Sequence, residues 1–428
     1  MHRLLAFLVV VTSVLFADDE ASSILGQIRL KVAEQVKGSA NYTCVQAVDR
    51  TYWRAQHYEA FGCEHHKGDS RRKEVMHDRL RLDIAVSEGH EIYSWHGGSS
   101  FSSGGIADVV RSGPISSGSF VGYLQNIFLV AGIRFEFRGR VDRNGIETYK
   151  FDYWVPLAVS HHDVAGRSGT GVRVPFHGTF FADCRTLELV NLDVILDQMP
   201  PEVEICNAEI DMNYGTTKIS DHDALIPQIF SLRMEDASHL YTISTSEYSS
   251  CREFRGESTV HFELNEAGQQ NSGPAPSPSD EWFPAGISLH VRLLTPITEN
   301  TAFTGDRVEG VLLEPVRLSR NATKVIPKGA VLGGIITLLE KREEPYRHFL
   351  YSIEFDHLTF ADKSMRLKAS PKPTHEAAVQ LGFIYGHVVP AWVEEQYRNG
   401  IFVAMPKLRL DQHFSGEWQT VNPPPGIR

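Results

Sequence analysis

The stretch HGTFFADCRTLELVNLDV (177–194) reads as two strands folded back on each other. Apolar and polar residues alternate in Leu187-Glu188-Leu189-Val190, as they do on a strand with one face in a core and one toward water. Asp183-Cys184-Arg185 between the two halves supplies the turn. Upstream, Phe135-Glu136-Phe137-Arg138 repeats the same period of two. Working outward, strands are expected over 42–53, 73–85, 90–95, 133–140, 147–155, 172–182, 186–197, 202–214, 228–234 and 239–247, with a last one over 258–264. Only two helices interrupt them. Ile24, Ile28, Val32 and Val36 recur every four residues ahead of a stop at Gly38, and Leu124, Ile127 and Phe128 share a face over 120–130. No alternation of strand and helix appears, which excludes a parallel doubly wound sheet.

The chain of 428 residues is long enough for two or three domains, and residues 265–280 (NEAGQQNSGPAPSPSD) have the composition of a linker between them. Beyond it, short strands are expected over 287–294, 307–313, 325–326, 330–339, 349–358 and 365–369, close enough together for a small barrel or sandwich. A helix near 374–381, a strand over 401–410 and a frayed Pro423-Pro424-Pro425 end are expected in the tail. A second stretch rich in Ser and Gly, 97–119, is expected to be a long mobile loop inside the first domain.

Address and chemistry follow from composition and motifs. His2-Arg3, then an uncharged run from Leu4 to Ala17, then Asp18-Asp19-Glu20, make a secretory signal with cleavage after Ala17. The alternative is a short membrane anchor, although the run is briefer than the roughly 20 residues that span a bilayer. Export permits disulfides, and the five cysteines lie at 44, 63, 184, 206 and 251. Cys44 with Cys63 is the preferred pair, Cys184 and Cys206 lie on neighbouring expected strands where they are also able to meet, and the odd count leaves at least one thiol free or paired between chains. A net charge of −11 argues against a nucleic-acid partner. There is no nucleophile elbow, P-loop or dinucleotide fingerprint. His65-His66 and His161-His162 are adjacent pairs, which on a strand point to opposite faces and seldom hold one ion. Glu202 with Glu204, and Asp221 with Asp223, are the carboxylate pairs a glycosidase would need. Asn41-Tyr42-Thr43 and Asn321-Ala322-Thr323 are glycosylation sequons. No cofactor, metal site or catalytic residue is assigned.

Two resemblances sharpen this. The order of signal peptide, long amphipathic helix and run of antiparallel strands resembles the periplasmic lipoprotein carriers of the LolA/LolB type. The segments that carry it are 24–37, NYTCVQAVDRTYW (41–53), HGTFFADCRTLELVNLDV (177–194) and the strands near 202–234. The resemblance implies an unclosed, curved sheet wrapped over helices, holding lipid in its concave face. GISLHVRLLTPITENTAFTGDRVEGVLLEPV (286–316) and VIPKGAVLGGIITLLE (325–340) look like the small C-terminal barrel of TrbI-like ring proteins of type IV secretion. That likeness implies an envelope-associated interaction module, with Lys328 in its turn as the basic residue to test for contact.

The expected fold is therefore mainly β (α+β): a signal peptide (1–17), a curved antiparallel half-barrel with covering helices (20–264), the linker (265–280), a small barrel (281–370) and a C-terminal extension (371–428). Phe135, Phe137, Tyr149, Phe151, Tyr153, Phe176, Phe180 and Ile210 are the inward candidates. They either line an apolar hollow that binds a lipid or other apolar ligand, or fill a core. The 97–119 loop is the expected lid. The leading expectation is a periplasmic or secreted, non-enzymatic envelope protein whose barrel contacts an envelope partner. The alternatives are a structural protein with a filled core and a secreted hydrolase.

Overall fold

The computed structural model describes residues 2–37, 42–55, 61–63, 71–87, 90–98, 101–102, 105–110, 112–166, 170–219, 222–253, 279–318, 325–361, 363–373 and 391–422. The strand expected over 258–264, the helix over 374–381, His65-His66, Asp221, both sequon asparagines, nearly all of the 265–280 linker and the Pro-rich end lie outside them. So do the side chains of the signal segment.

Helix α1 (His2–Lys37) leads the chain. Strands β1 (Tyr42–Ala55), β2 (Arg72–Ser87), β3 (His90–Trp95), β4 (Arg134–Arg143) and β5 (Ile146–Val155) follow. A short hairpin, β6 (Asp163–Ala165) with β7 (Gly171–Arg173), stands apart from the main sheet. Then come β8 (Phe176–Asp183), β9 (Leu189–Leu196), β10 (Ile205–Ile219), β11 (His222–Asp236) and β12 (Leu240–Glu253). Ten of these form one antiparallel ribbon in the order β4-β5-β8-β9-β10-β11-β12-β1-β2-β3. Its two end strands do not pair with each other, so the sheet stays open. Register shifts at Thr43/Val45, Tyr52/Trp53, Phe137/Gly139 and Asn213/Tyr214 insert extra residues into long strands, and such bulges bend and twist a sheet. The result is the unclosed, curved half-barrel that the LolA-like resemblance implies, with Ile28 and Val32 of α1 buried against its inner face.

The second unit contains β13 (Ser279–Trp282), β14 (Ser288–Leu293), β15 (Ile297–Thr298), β16 (Arg307–Leu312), β17 (Val316–Arg317), β18 (Val325–Ile326), β19 (Val331–Arg342), β20 (His348–Phe360), β21 (Lys363–Pro371), β22 (Phe402–Ala404), β23 (Arg409–Leu410) and β24 (Ser415–Thr420). Pairing β14-β16-β19-β20-β21-β24 and back to β14 closes a six-stranded antiparallel barrel. Its interior is filled: Trp418, Phe355, Tyr351 and Phe402 are buried, and the Trp418 indole donates to the Ile353 carbonyl at 2.7 Å. The closing strand lies at 415–420, inside the segment expected as an extension. Without it, β14 and the 369–371 end of β21 would each expose an unpaired edge.

The two units share hydrogen bonds. The far end of β19 pairs with β2 through Glu340–Asp78, Lys341–His77 and Arg342–Met76. Thr304 exchanges two backbone bonds of 2.8 Å with Arg79 and Arg81. The guanidinium groups of Arg79 and Arg81 lie 4.3 and 4.1 Å from the centre of the Phe303 ring, and Arg81 donates to Asp306 at 2.7 Å.

The cysteine pairing differs from expectation. Cys44 bonds Cys251 and Cys63 bonds Cys206, while Cys184 is free. Cys44 lies on β1, which is flanked by β12 as well as by β2, so its partner is a neighbour across the ladder and 207 residues away in sequence. Cys184 and Cys206 sit beyond opposite ends of β9, roughly 25 Å apart at the rise of a strand. Two disulfides fit an extracytoplasmic chain, because oxidising compartments preserve them.

Candidate functional site

All eight inward candidates fall in one apolar cluster under α1. Phe151, Tyr153 and Phe180 are 0–1% exposed, Tyr149, Phe176 and Ile210 are buried, and Phe135 and Phe137 pack on the cluster while part-exposed. The rings interlock. Phe151 stacks on Phe180 at 5.1 Å, Phe128 meets Phe180 edge-on at 4.9 Å, and Phe137 lies 5.0 Å from Phe151. Phe135 and Phe137 are less covered because β4 is the sheet's end strand and nothing pairs beyond it. The open side of the cluster is therefore the β4 edge. Phe128, absent from the expected set, comes from a π-helical turn (Gln125–Leu129) inside the expected helix.

Arg29 fixes α1 over this cluster. Its Nε donates to the Phe128 carbonyl at 2.7 Å, a last-turn carbonyl that the helical ladder leaves unpaired. Other described ties of α1 are apolar contacts and exposed ion pairs of 3.9 Å from Lys31 to Glu188 and from Arg140 to Glu20, which contribute little. Burial pushes the phenols of Tyr123, Tyr153 and Tyr214 up, so each is a neutral donor. Tyr153 donates to the Asp193 carbonyl at 2.7 Å and lies across Gly178, where a Cβ would come within 1.9 Å of that same carbonyl.

Described parts of the expected lid have anchoring contacts. Ile106 and Val110 are buried, and Glu91 of β3 accepts from the backbone N–H of Gly118, Phe120 and Val121 at 2.7, 2.9 and 3.2 Å, and from Tyr93 Oη at 2.6 Å. Three backbone donors over 118–121 tie the end of this segment to β3 through one carboxylate. Arg50 adds bonds to the carbonyls of Ser112 and Pro114. Composition alone reads Ser and Gly as mobility; at Ser112, Pro114 and Gly118 an arginine and a carboxylate from two strands hold the backbone.

Sequence reasoning missed the polar half of the same face. Arg50 and Asp78, 1% and 5% exposed, form a two-pronged pair at 2.8 and 2.6 Å. Gln46, Thr242, Ser244 and Ser246 are buried beside it. The alternation of 42–53 marks these positions as inward, and a polar residue at an inward position is the signal that was available. Among the described residues the hydrolase candidates are not brought together. Glu202 lies exposed in a short turn, His161 is exposed, and the His162 ring packs between Tyr123 and Phe176, where burial lowers its pKa to about 4. Among the described residues no group of three His, Cys, Asp or Glu side chains is placed to hold a metal ion, and no helix is long and apolar enough to cross a membrane. Lys328 is exposed in its turn. On the second unit, a cavity of about 560 Å³ opens between Ser370–Pro373 and Tyr397–Gly400, with Lys372 and Arg398 on its lining.

No protein-family model and no curated protein matches the chain. Its backbone is similar, over about half its length, to several solved structures. A DUF1329 family protein from Desulfovibrio piger is 12% identical with a TM-score of 0.26, covering 55% of this chain and 94% of that one. A LolA superfamily protein from Nitrosomonas europaea is 11% identical with a TM-score of 0.26, over 54% and 94%. The lipoprotein LppX from Mycobacterium tuberculosis is 11% identical with a TM-score of 0.20, over 55% and 98%.

Proposed function

We propose that this chain is an exported, non-enzymatic protein of the cell envelope that binds a lipid or other apolar ligand between α1 and the concave face of its half-barrel. The observation that carries the reading is the aromatic cluster open at the β4 edge, where Phe135 and Phe137 remain part-exposed under a helix held by apolar contacts and the Arg29 clamp. An acyl chain entering there would bury its own surface and theirs, at about 25 cal/mol per Å² removed from water. The barrel, with a filled interior, is the surface left for an envelope partner, and Lys328 is its first residue to test.

Native mass spectrometry of the protein, purified from a periplasmic extract without detergent, tests the reading. A stoichiometric lipid adduct, recovered by solvent extraction, is expected. A clean apo mass that persists after incubation with phospholipid and lipopeptide would sink it. One observation favours the competing reading of a filled core: the Phe151–Phe180 stack has almost no exposed surface. That reading gains if the apo mass persists.

A further inference from the structure

On β9 and β10 the inward positions belong to Leu192, Val194 and Leu196 and to Ala208, Ile210 and Met212. The residues between them face outward, away from α1. The register sets Asp193 opposite Asp211 and Asn191 opposite Asn213, so two carboxylates and two carboxamides form adjacent cross-strand pairs on the outer face. They touch one another. Asn191 Nδ2 donates to Asp211 Oδ2 at 3.2 Å and to Asn213 Oδ1 at 3.1 Å, and Asn213 Nδ2 donates to Asp211 Oδ1 at 3.0 Å. The carboxyl groups of Asp193 and Asp211 are themselves in hydrogen-bond contact. On the β8 side Phe181 lies opposite Asn191. Arg143, the last residue of β4, has its guanidinium 4.4 Å from the centre of the Phe181 ring and 3.7 Å from Asp211 Oδ2.

Asn191 is 0% exposed, yet its Oδ1 has no hydrogen-bond partner. A buried acceptor without a donor is costly and calls for an explanation. The carboxamide lies within the group, because its Nδ2 reaches two of the group's oxygens. A half-turn about χ2 exchanges Oδ1 with Nδ2. Oδ1 then stands roughly 3 Å from Asp211 Oδ2 and Asn213 Oδ1, with no hydrogen between the three acceptors. Such a trio repels itself unless a cation sits among it. Oxygens that bind calcium at about 2.3–2.6 Å lie roughly 3–3.5 Å from one another, which is the spacing here.

We propose that this group is a calcium site, with oxygens from Asp193, Asp211, Asn213 and the turned Asn191. Four oxygen donors, two of them charged, suit a hard cation that takes further ligands from water. Arg143 is the competing cation: it approaches the same Asp211 oxygen and must yield to the metal. Two carboxylates and this competition make the site weak, in the range of about 10⁻⁴–10⁻³ M that serves extracellular modules. Magnesium fits poorly, because it demands a regular octahedron with shorter bonds.

The test is calorimetric titration of calcium chloride, and of magnesium chloride in parallel, into the chelator-treated full chain. One calcium per chain is expected, with magnesium at least about tenfold weaker. Asp211→Asn is expected to weaken calcium binding at least about tenfold. Arg143→Gln leaves every ligand in place and removes the competing charge, so it is expected to tighten binding at least about threefold. A purely structural role for Arg143 would not give that gain. Where Asp211→Asn fails to give a native circular dichroism spectrum, Arg143→Gln decides. Four results each overturn the site: no saturable calcium heat at concentrations tenfold above the expected range; magnesium binding as tight as calcium, the mark of diffuse counter-ions on an acidic chain; a native Asp211→Asn chain that binds as before; or an Arg143→Gln chain that binds no better. None of them touches the apolar-ligand reading, which concerns the other face of the sheet.

Discussion

Arg50 and Asp78 carry opposite charges in a place water barely reaches. Such a pair is costly to break from one side, because the survivor is left buried and unpaired. Arg50→Ala is expected to destabilise the chain by about 3–5 kcal/mol in urea unfolding, while Arg50→Met with Asp78→Leu recovers most of that loss. Two other titratable groups act on stability with opposite signs. Burial and the facing Asp211 raise Asp193 to about 7, above the ordinary unfolded carboxylate near 4. Its contribution is fully present below about pH 4 and is lost as pH rises toward 7. Burial lowers His162 to about 4, below the unfolded value near 6.5, so its contribution is present above that value and is lost as pH falls toward 4. The windows overlap, and the wild type shows only their difference. Asp193→Asn is expected to steepen the fall in melting temperature between pH 7 and 4, and His162→Phe to flatten it. Thermal scans across that range check both slopes.

At the level of elements, α1 is the part whose attachment controls access to the aromatic cluster. Its described contacts are a narrow apolar stripe, Ile24, Leu25, Ile28, Val32 and Val36, and Arg29 reaching past the π-helical turn. Arg29→Ala removes those bonds and is expected to cost about 1–2 kcal/mol. It is also expected to speed release of a bound apolar probe, measured by stopped-flow fluorescence, with little change in far-UV circular dichroism. The strands were largely legible beforehand, since period-two alternation gives each inward face directly. The β4 edge was not, because whether Phe135 and Phe137 are covered depends on what lies beside β4, and no local pattern states that. The contacts of the 97–119 segment were hidden for the same reason: its Ser and Gly residues say how freely the chain bends, while the bonds from Arg50 and Glu91 to 112–118 come from strands no local pattern names.

The molecule as a whole behaves as one sheet. The half-barrel and barrel are joined where β19 pairs with β2, and where Phe303 sits beneath Arg79 and Arg81. Asp306 is held there by Arg81 and by the Phe303 N–H, against a burial that raises its pKa. Asp306→Ala with Phe303→Ala should loosen this junction by about 1–3 kcal/mol. Calorimetry is expected to show one unfolding transition for the wild type and two for the variant. A wild type that already melts in two steps would contradict the junction's importance.

By itself the sequence determined the strand-rich class, the helix that leads it and which side chains of each strand alternate inward. These are local properties, carried by hydrophobic periodicity and turn chemistry within a few residues. The tertiary structure alone decided which strands are neighbours across long separations. That fixed the Cys44–Cys251 bond, the closing of the barrel by 415–420 and the docking of the two units. Each joins residues distant in sequence, and the free energy that selects such pairs is the burial of a shared surface, which no short window of sequence contains.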